Sequence, residues 1–471
     1  MRTSLGSPSP PRLRDREPAR WTKARRAQGR QRPFKFSGRG EDENRGMHDS
    51  TSPLPRRRWV TPGTLVVALL TGCASTPLPP EAPAVAAPTA AANDAATLQQ
   101  GFAKWVASFR ESAHAAGIDD ATLAAAFDDV HYVPRVVDQD RAQPEFTRTP
   151  WDYVDGIVSD QRVAQGQQKL AEVRAAADAA AARYGVPAAV VVAIWGIESN
   201  YGANYGDIPT IDALATLGFE GRRETWARGQ LIAALKILQG GDIDRAHMVG
   251  SWAGAMGQTQ FLPTAFLSYA VDGDGDGKRD IWGSMADVVA STANFLASVG
   301  WQPNEPWGVE VALPAGFDVG RADDSVRQAS AQWAAEGVQA AGGAAMPAIA
   351  DGAILLPAGA RGPAFLVGAN FRAILRYNNS TSYALAVGLL SQRIAGGPGV
   401  QAAWPRDVQA LSHDQMLALQ TALNQRGFAT GTPDGLMGPA TRDGLRGWQR
   451  SVGLPPDGYP TVEMLQRLQQ P

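Results

Sequence analysis

Apolar residues return every three to four positions in Leu98–His114, Asp119–Phe127, Val163–Tyr184, Arg223–Gln239, Ala286–Val299 and Ala384–Arg393. That spacing predicts amphipathic helices, each with one face for a core. Pro187–Ser199 departs from the pattern. From Ala188 to Ile197 it is apolar on every side, which predicts a fully buried helix. Between Trp307 and Ala369 the helical period disappears. Gly and Pro there punctuate short β-prone runs, such as Gly308–Leu313 and Ala353–Leu356. The pattern predicts a mainly α fold, with a helical domain over residues 97–395 that carries a small β-containing insert. Gly396-Gly397-Pro398-Gly399 then opens a linker over 396–407.

A compact unit is expected over residues 408–471. Ser412-His413-Asp414-Gln415 has the spacing of a capping box, so a helix should run from there to about Arg426. Pro439 suits the first turn of a second helix that Gly453 ends, and Pro460 opens a third. Pro433-Asp434-Gly435 and Pro456-Asp457-Gly458 precede the second and third helices, a weak internal echo. Asp434–Thr441 followed by Trp448-Gln449 resembles the peptidoglycan-binding type 1 domain, over about residues 408–468. That resemblance implies a C-terminal three-helix module that docks cell-wall polymer. Without it, the unit is a small helical appendage.

The N-terminal region has the order of an export signal: Arg56-Arg57-Arg58, an apolar run Thr64–Leu70, and small residues before Cys73. The run is too short to span a membrane. Leu70-Thr71-Gly72-Cys73 resembles the lipobox of bacterial lipoproteins. It implies a signal peptide over 47–72, cleavage before Cys73 and acylation of that residue. Ala74 in place of Asp implies sorting to the periplasmic face of the outer membrane in a Gram-negative bacterium. A buried free thiol behind an ordinary apolar helix is the plainer alternative. Met47 is well placed for initiation, so residues 1–46 are expected to be a misassigned start or disordered chain. Residues 73–96 are expected to form a Pro/Ala tether. With one cysteine in 471 residues, no intrachain disulfide can form.

The net charge of −2 conceals an asymmetry. Residues 1–46 carry 13 Lys or Arg against 5 Asp or Glu, and 47–72 carry three Arg against one Asp, leaving −12 on the remainder. An acidic body argues against nucleic acid as a partner.

Glu198 ends the apolar helix. Burial and the helix C-terminus both raise a carboxyl pKa, and an acid still protonated near neutral pH can protonate a glycosidic oxygen. A Glu at a helix end pointing into water is the commoner alternative. Around it, Ile194–Gly202 resembles the active-site stretch of the lytic murein transglycosylase B family. Ser251–Pro263 matches a second block of that family, and Arg376–Ser380 with Tyr383 a third. The resemblance covers about residues 98–394 and implies a lysozyme-like helical core.

By that resemblance Glu198 is the single catalytic acid/base. Ser251, Gln260, Tyr377, Asn378 and Tyr383 would contact sugar, while Arg222 and Arg223 would lie near the peptide stem or the product end. Trp151 and Tyr153 are expected to line the cleft. The implied reaction cleaves the β-1,4 bond between N-acetylmuramic acid and N-acetylglucosamine of peptidoglycan strands. It closes a 1,6-anhydro ring on the muramic residue and needs no cofactor. Asp207 or Asp212, if set across the cleft, would instead make a lysozyme-type hydrolase plausible. The alternative outside catalysis is a lipoprotein that anchors membrane to wall. Other cell-wall enzymes are left open as partners.

Asp272-Gly273-Asp274-Gly275-Asp276-Gly277 has carboxylates at positions one, three and five of a calcium loop and Gly at six. Position twelve is Gly283 instead of Glu, and Asp287 stands four residues on. The transglycosylase B resemblance includes such an altered loop. The expectation is a structural Ca2+ held by Asp272, Asp274, Asp276, the Lys278 carbonyl, Asp280 and Asp287. An acidic turn without metal is the alternative. The five His residues (48, 114, 131, 247 and 413) form no close pair, which argues against a zinc hydrolase.

Overall fold

The computed structural model describes residues 90–142 and 148–470. Cys73, the expected signal and residues 73–89 of the expected tether lie outside them, while residues 90–96, expected in the tether, are the first turns of the Ala90–Ala115 helix, whose run of Ala favours helix. The Ala188–Ser199 helix is the centre of the body, with Val190 to Gly196 all buried. Helices Thr381–Ile394, Asp160–Glu172, Arg174–Tyr184 and Met285–Ser298 pack around it. The predicted single helix over 163–184 is two helices, broken at Val173. The first packs on the Thr381–Ile394 helix and the second on the Met285–Ser298 helix, so each amphipathic face meets a different partner. Among the described residues, no single helix is long and apolar enough to cross a membrane.

The insert is an antiparallel sheet in the order Gln339–Ala340, Gly308–Ala312, Ala364–Val367, Ala353–Leu355. It closes over its own core of Val311, Trp333, Ile354 and Leu366. The C-terminal module has helices His413–Gln425, Pro439–Ser451 and Val462–Gln469 around Leu419, Leu423, Leu445 and Trp448. The capping box at Ser412 is formed as expected.

The Asp-Gly echo has a structural cause. Gln420, buried at the C-terminal half of the first helix, donates to Asp434 Oδ1 at 2.8 Å and accepts from the backbone N–H of Asp434 and Gly435. Gln449, buried in the second helix, repeats the device: it donates to Asp457 Oδ1 at 2.8 Å and accepts from Gly458 N–H. Each Asp-Gly loop is thus pinned by a glutamine of the helix before it.

The module is docked on the insert. Arg446 pairs with Asp323 and donates to the Ala322 carbonyl, and Asp457 accepts from Ala360 N–H at 2.9 Å. The linker is held as well. Gln401 and Ala402 N–H donate to Glu310, and Arg406 pairs with Asp155 at 2.7 Å.

Candidate active site

The Ala188–Ser199 helix ends in a tight left-handed turn, with φ of 50° at Asn200, 57° at Tyr201 and 81° at Gly202. This turn folds the Tyr201 ring back onto the helix. A Cβ on Gly196 would lie 2.5 Å from that ring, so only glycine permits the approach. The Tyr201 hydroxyl donates to the Arg162 carbonyl at 2.9 Å, and Arg162 donates to the Gly196 carbonyl at 2.6 Å. Ser199 Oγ donates to the Trp195 carbonyl and accepts from Gly202 N–H. The Trp195, Gly196 and Ser199 carbonyls at this helix end thus find local partners, and the backbone on either side of Glu198 is held in place.

Glu198 is partly exposed as a residue, yet its carboxyl is enclosed by protein. That packing pushes its pKa up to about 7. The Tyr383 hydroxyl donates to Glu198 Oε1 at 2.5 Å, which favours the carboxylate and opposes the shift. Tyr153, Tyr377 and Tyr383 all sit within reach of the Glu198 charge, and burial with that charge holds each phenol above its ordinary range. Among the described residues, no second carboxylate contributes to the shift at Glu198. Asp207 is exposed and pairs with Arg135 at 2.7 Å. Asp212 is buried, accepts from His131 N–H at 2.6 Å and pairs with Arg245.

Three chain segments converge here through hydrogen bonds. Gln260, itself at a φ of 51°, donates both amide hydrogens, to the Tyr205 and Gly257 carbonyls at 2.9 Å. Only its amide oxygen is left to meet a ligand. The Tyr377 hydroxyl donates to the Thr259 carbonyl at 2.6 Å, which joins the third segment to the second. Asn378 is exposed at the end of the Ala369–Tyr377 helix. Ser251 Oγ accepts from Ala255 N–H at 3.2 Å and still has its own proton to give.

Tyr383, Trp151, Asp280 and Asp287 depart from expectation, and the other site residues find partners of their own. Tyr383 is 2 % exposed and faces Glu198, so its place is behind the acid rather than against sugar. Trp151 is buried and packs against Trp404 of the linker, because the linker is folded onto this helix. Arg222 and Arg223 both engage Asp140, at 2.5 and 3.3 Å, and Arg223 lies over Trp226 and Trp252. In the aspartate loop, ligand oxygens of Asp272, Asp274 and Asp276 lie within 4.8 Å of one another. Lys278 is exposed, and Asp280 and Asp287 fall outside that cluster. Asp280 Oδ1 accepts from Trp282 and Gly283 N–H. Asp287 is fully buried and accepts from Gly273 and Asp280 N–H at 2.7 and 2.6 Å, closing the loop at both ends. Gln258 is not singled out by sequence, for nothing local distinguishes it from its neighbours. It is buried and bridges two parts of the site.

Residues 101–392 match the model of the transglycosylase SLT domain, more than half of the chain. The chain belongs to that family. Residues 412–468 match a peptidoglycan binding domain. Membrane-bound lytic murein transglycosylase B of Escherichia coli K12 is 34% identical over 221 residues, 45% of this chain. The match spans 58% of that relative's length. SltB3 of Pseudomonas aeruginosa, solved in complex with NAG-anhNAM-pentapeptide, is 51% identical with a TM-score of 0.76, over 78% of this chain and 99% of that one. The lytic transglycosylase Slt35 of E. coli, solved in complex with calcium, is 29% identical with a TM-score of 0.51, over 63% and 92%.

Proposed function

We propose that this protein is a lytic transglycosylase that cleaves the β-1,4 bond between N-acetylmuramic acid and N-acetylglucosamine and releases 1,6-anhydro products. The observation that carries the reading is one carboxyl raised to about 7, held by Tyr383, with no second carboxylate acting on it among the described residues. Membership of the SLT family supports it, as does the binding of NAG-anhNAM-pentapeptide by SltB3.

The chemistry follows from that arrangement. Protonated Glu198 gives its proton to the bridging oxygen as the C1–O bond breaks. The substrate's acetamido oxygen assists the positive charge at C1, as in substrate-assisted glycosidases. The Glu198 carboxylate then takes the proton of the muramic C6 hydroxyl, and that oxygen bonds to C1. One proton leaves Glu198 and one returns, so neither water nor a second carboxylate is needed. The free Gln260 amide oxygen suits an acetamido N–H, and exposed Asn378 offers both a donor and an acceptor. Ser251, Tyr153 and Tyr377 complete the wall that faces sugar.

The clustered oxygens of Asp272, Asp274 and Asp276 suit a hard cation such as Ca2+. Its contribution would be loop order, with no part in proton transfer. Slt35 binding calcium supports this reading. Cys73 is the proposed acylation site, which would place the enzyme at the periplasmic face of the outer membrane. Fatty-acid labelling that is lost in Cys73→Ala tests that placement.

The deciding experiment digests purified sacculi and weighs the products. Anhydro-muropeptides are expected, and Glu198→Gln should abolish their release while leaving sacculus binding intact. Reducing ends would replace the reading with a muramidase. Intact sacculi would leave a wall-anchoring protein.

A further inference from the structure

The left-handed turn that presents Glu198 is braced from outside by one buried side chain. Gln258 is 8% exposed. Its Oε1 accepts from Trp195 Nε1 at 2.8 Å, and its Nε2 donates to the Trp282 carbonyl at 2.7 Å. Its backbone N–H donates to the Ile281 carbonyl at 2.9 Å. Trp195 stands one helical turn before Glu198, and its ring meets Tyr201 edge-on at 5.6 Å. Gly202 lies against the same amide: a Cβ there would come within 2.3 Å of Gln258 Oε1. At the other end, Trp282 N–H donates to Asp280 Oδ1, where the aspartate loop leaves for the next helix.

We propose that Gln258 is a positioning residue for the transglycosylase reaction, a strut between the end of the aspartate loop and the turn that carries Glu198. This inference rests on the catalytic role proposed for Glu198. The strut has a wet side. An open cavity of about 590 Å³ is lined by Trp195, Tyr201, Gly202, Gln258, Gly283 and Met285, with Lys169 and Glu172 among its other walls. The cavity does not include Glu198. Gln258 and Trp195 both line it while being almost fully buried themselves. An intact strut keeps the turn closed and the Glu198 surroundings dry. A broken strut frees the Trp195 indole and the Trp282 carbonyl, both of which then recruit water from the cavity. Hydration returns the Glu198 carboxyl toward its ordinary range, so less of it is protonated at neutral pH. The groups that face Glu198 directly are the phenols of Tyr153, Tyr377 and Tyr383. Tyr377 is tied to the residue beside Gln258, through the Thr259 carbonyl, whereas Tyr383 holds Glu198 directly.

The test compares wild type with Gln258→Leu, which keeps bulk but removes both hydrogen bonds, on soluble glycan strands. Trp195→Phe, which removes the other partner, is the second variant in case the first fails to fold. The expected result is a fall in kcat of about tenfold at neutral pH with KM little changed, and an alkaline limb displaced downward by about one pH unit. The double variant should cost less than the product of the two single losses. Glu198→Gln is run beside them. Full activity in Glu198→Gln would refute the catalytic reading itself. Inactive Glu198→Gln with an unmoved pH limb and normal kcat per folded molecule in both strut variants would refute the role of Gln258 alone. A lower Tm with an unmoved limb would also overturn it, because that marks a merely structural contact.

Discussion

Glu198→Gln offers a test of the site that needs no substrate. The folded protein holds the Glu198 carboxyl at about 7, against an ordinary value of 4.5. In the unfolded chain the group ionises near that ordinary value. Below about pH 4.5 both states are protonated and no penalty exists. As pH rises through the window to about 7, the unfolded chain releases the proton first, and folded stability falls. Above that window the folded state must carry a carboxylate that its packing disfavours. Gln is the neutral isostere and escapes the penalty. At 1.36 kcal/mol per pKa unit, the gap corresponds to at most about 3 kcal/mol, and the opening of the site to solvent lowers that figure. The Gln carbonyl can still accept from Tyr383, so the packing is kept. Thermal unfolding of both proteins from pH 4 to pH 9 should show equal Tm at the acid end. The variant should then gain a lead of a few degrees that grows to about pH 7 and stays level beyond. A Tm difference that does not change with pH would refute the claim that Glu198 is desolvated.

Three further outcomes are expected. Tyr383→Phe removes the donor that favours the Glu198 carboxylate, so the alkaline limb of activity should move to higher pH while kcat falls; a limb that stays put would dissociate the two groups. Added Ca2+ should raise Tm in the wild type and not in Asp274→Asn, whereas Asp287→Asn should lower Tm even in chelator, because Asp287 closes the loop by hydrogen bonds of its own. Gln420→Leu should strand the N–H groups of Asp434 and Gly435, cost the C-terminal module about 3 kcal/mol and weaken sacculus pull-down, with cleavage of soluble glycan unaffected.

The helical body is legible where packing repeats. The amphipathic helices and the all-apolar Ala188–Ser199 helix follow from spacing, because periodic burial leaves periodic sequence. The short helices Pro134–Ala142, Pro150–Ile157 and Pro263–Tyr269 do not stand out, for seven to nine residues hold barely two periods. Thr149 and Pro150 do mark one of them, as a cap and a first-turn proline. Thr210–Glu220 is hidden for another reason: it is buried over most of its length and shows no polar stripe. Glu198 is visible as a carboxyl closing an apolar run, but the hydroxyl that holds it comes from a residue 185 positions away. The same limit hides Gln258, whose two partners lie 63 and 24 positions from it. Contacts across such separations leave no local pattern. The Asp-Gly repeats are visible, yet their meaning emerges only where each glutamine reaches its own loop.

The docking of the C-terminal module has a consequence for where cuts fall. Arg446 on Asp323, Asp457 on Ala360 and Glu310 on the linker make the wall-gripping end and the cutting end parts of one frame. A module on a loose string would let the blade wander over whatever glycan lay within its reach. A fixed frame works as a calliper. In such a frame the wall held by the module and the strand offered to Glu198 cannot shift independently of each other.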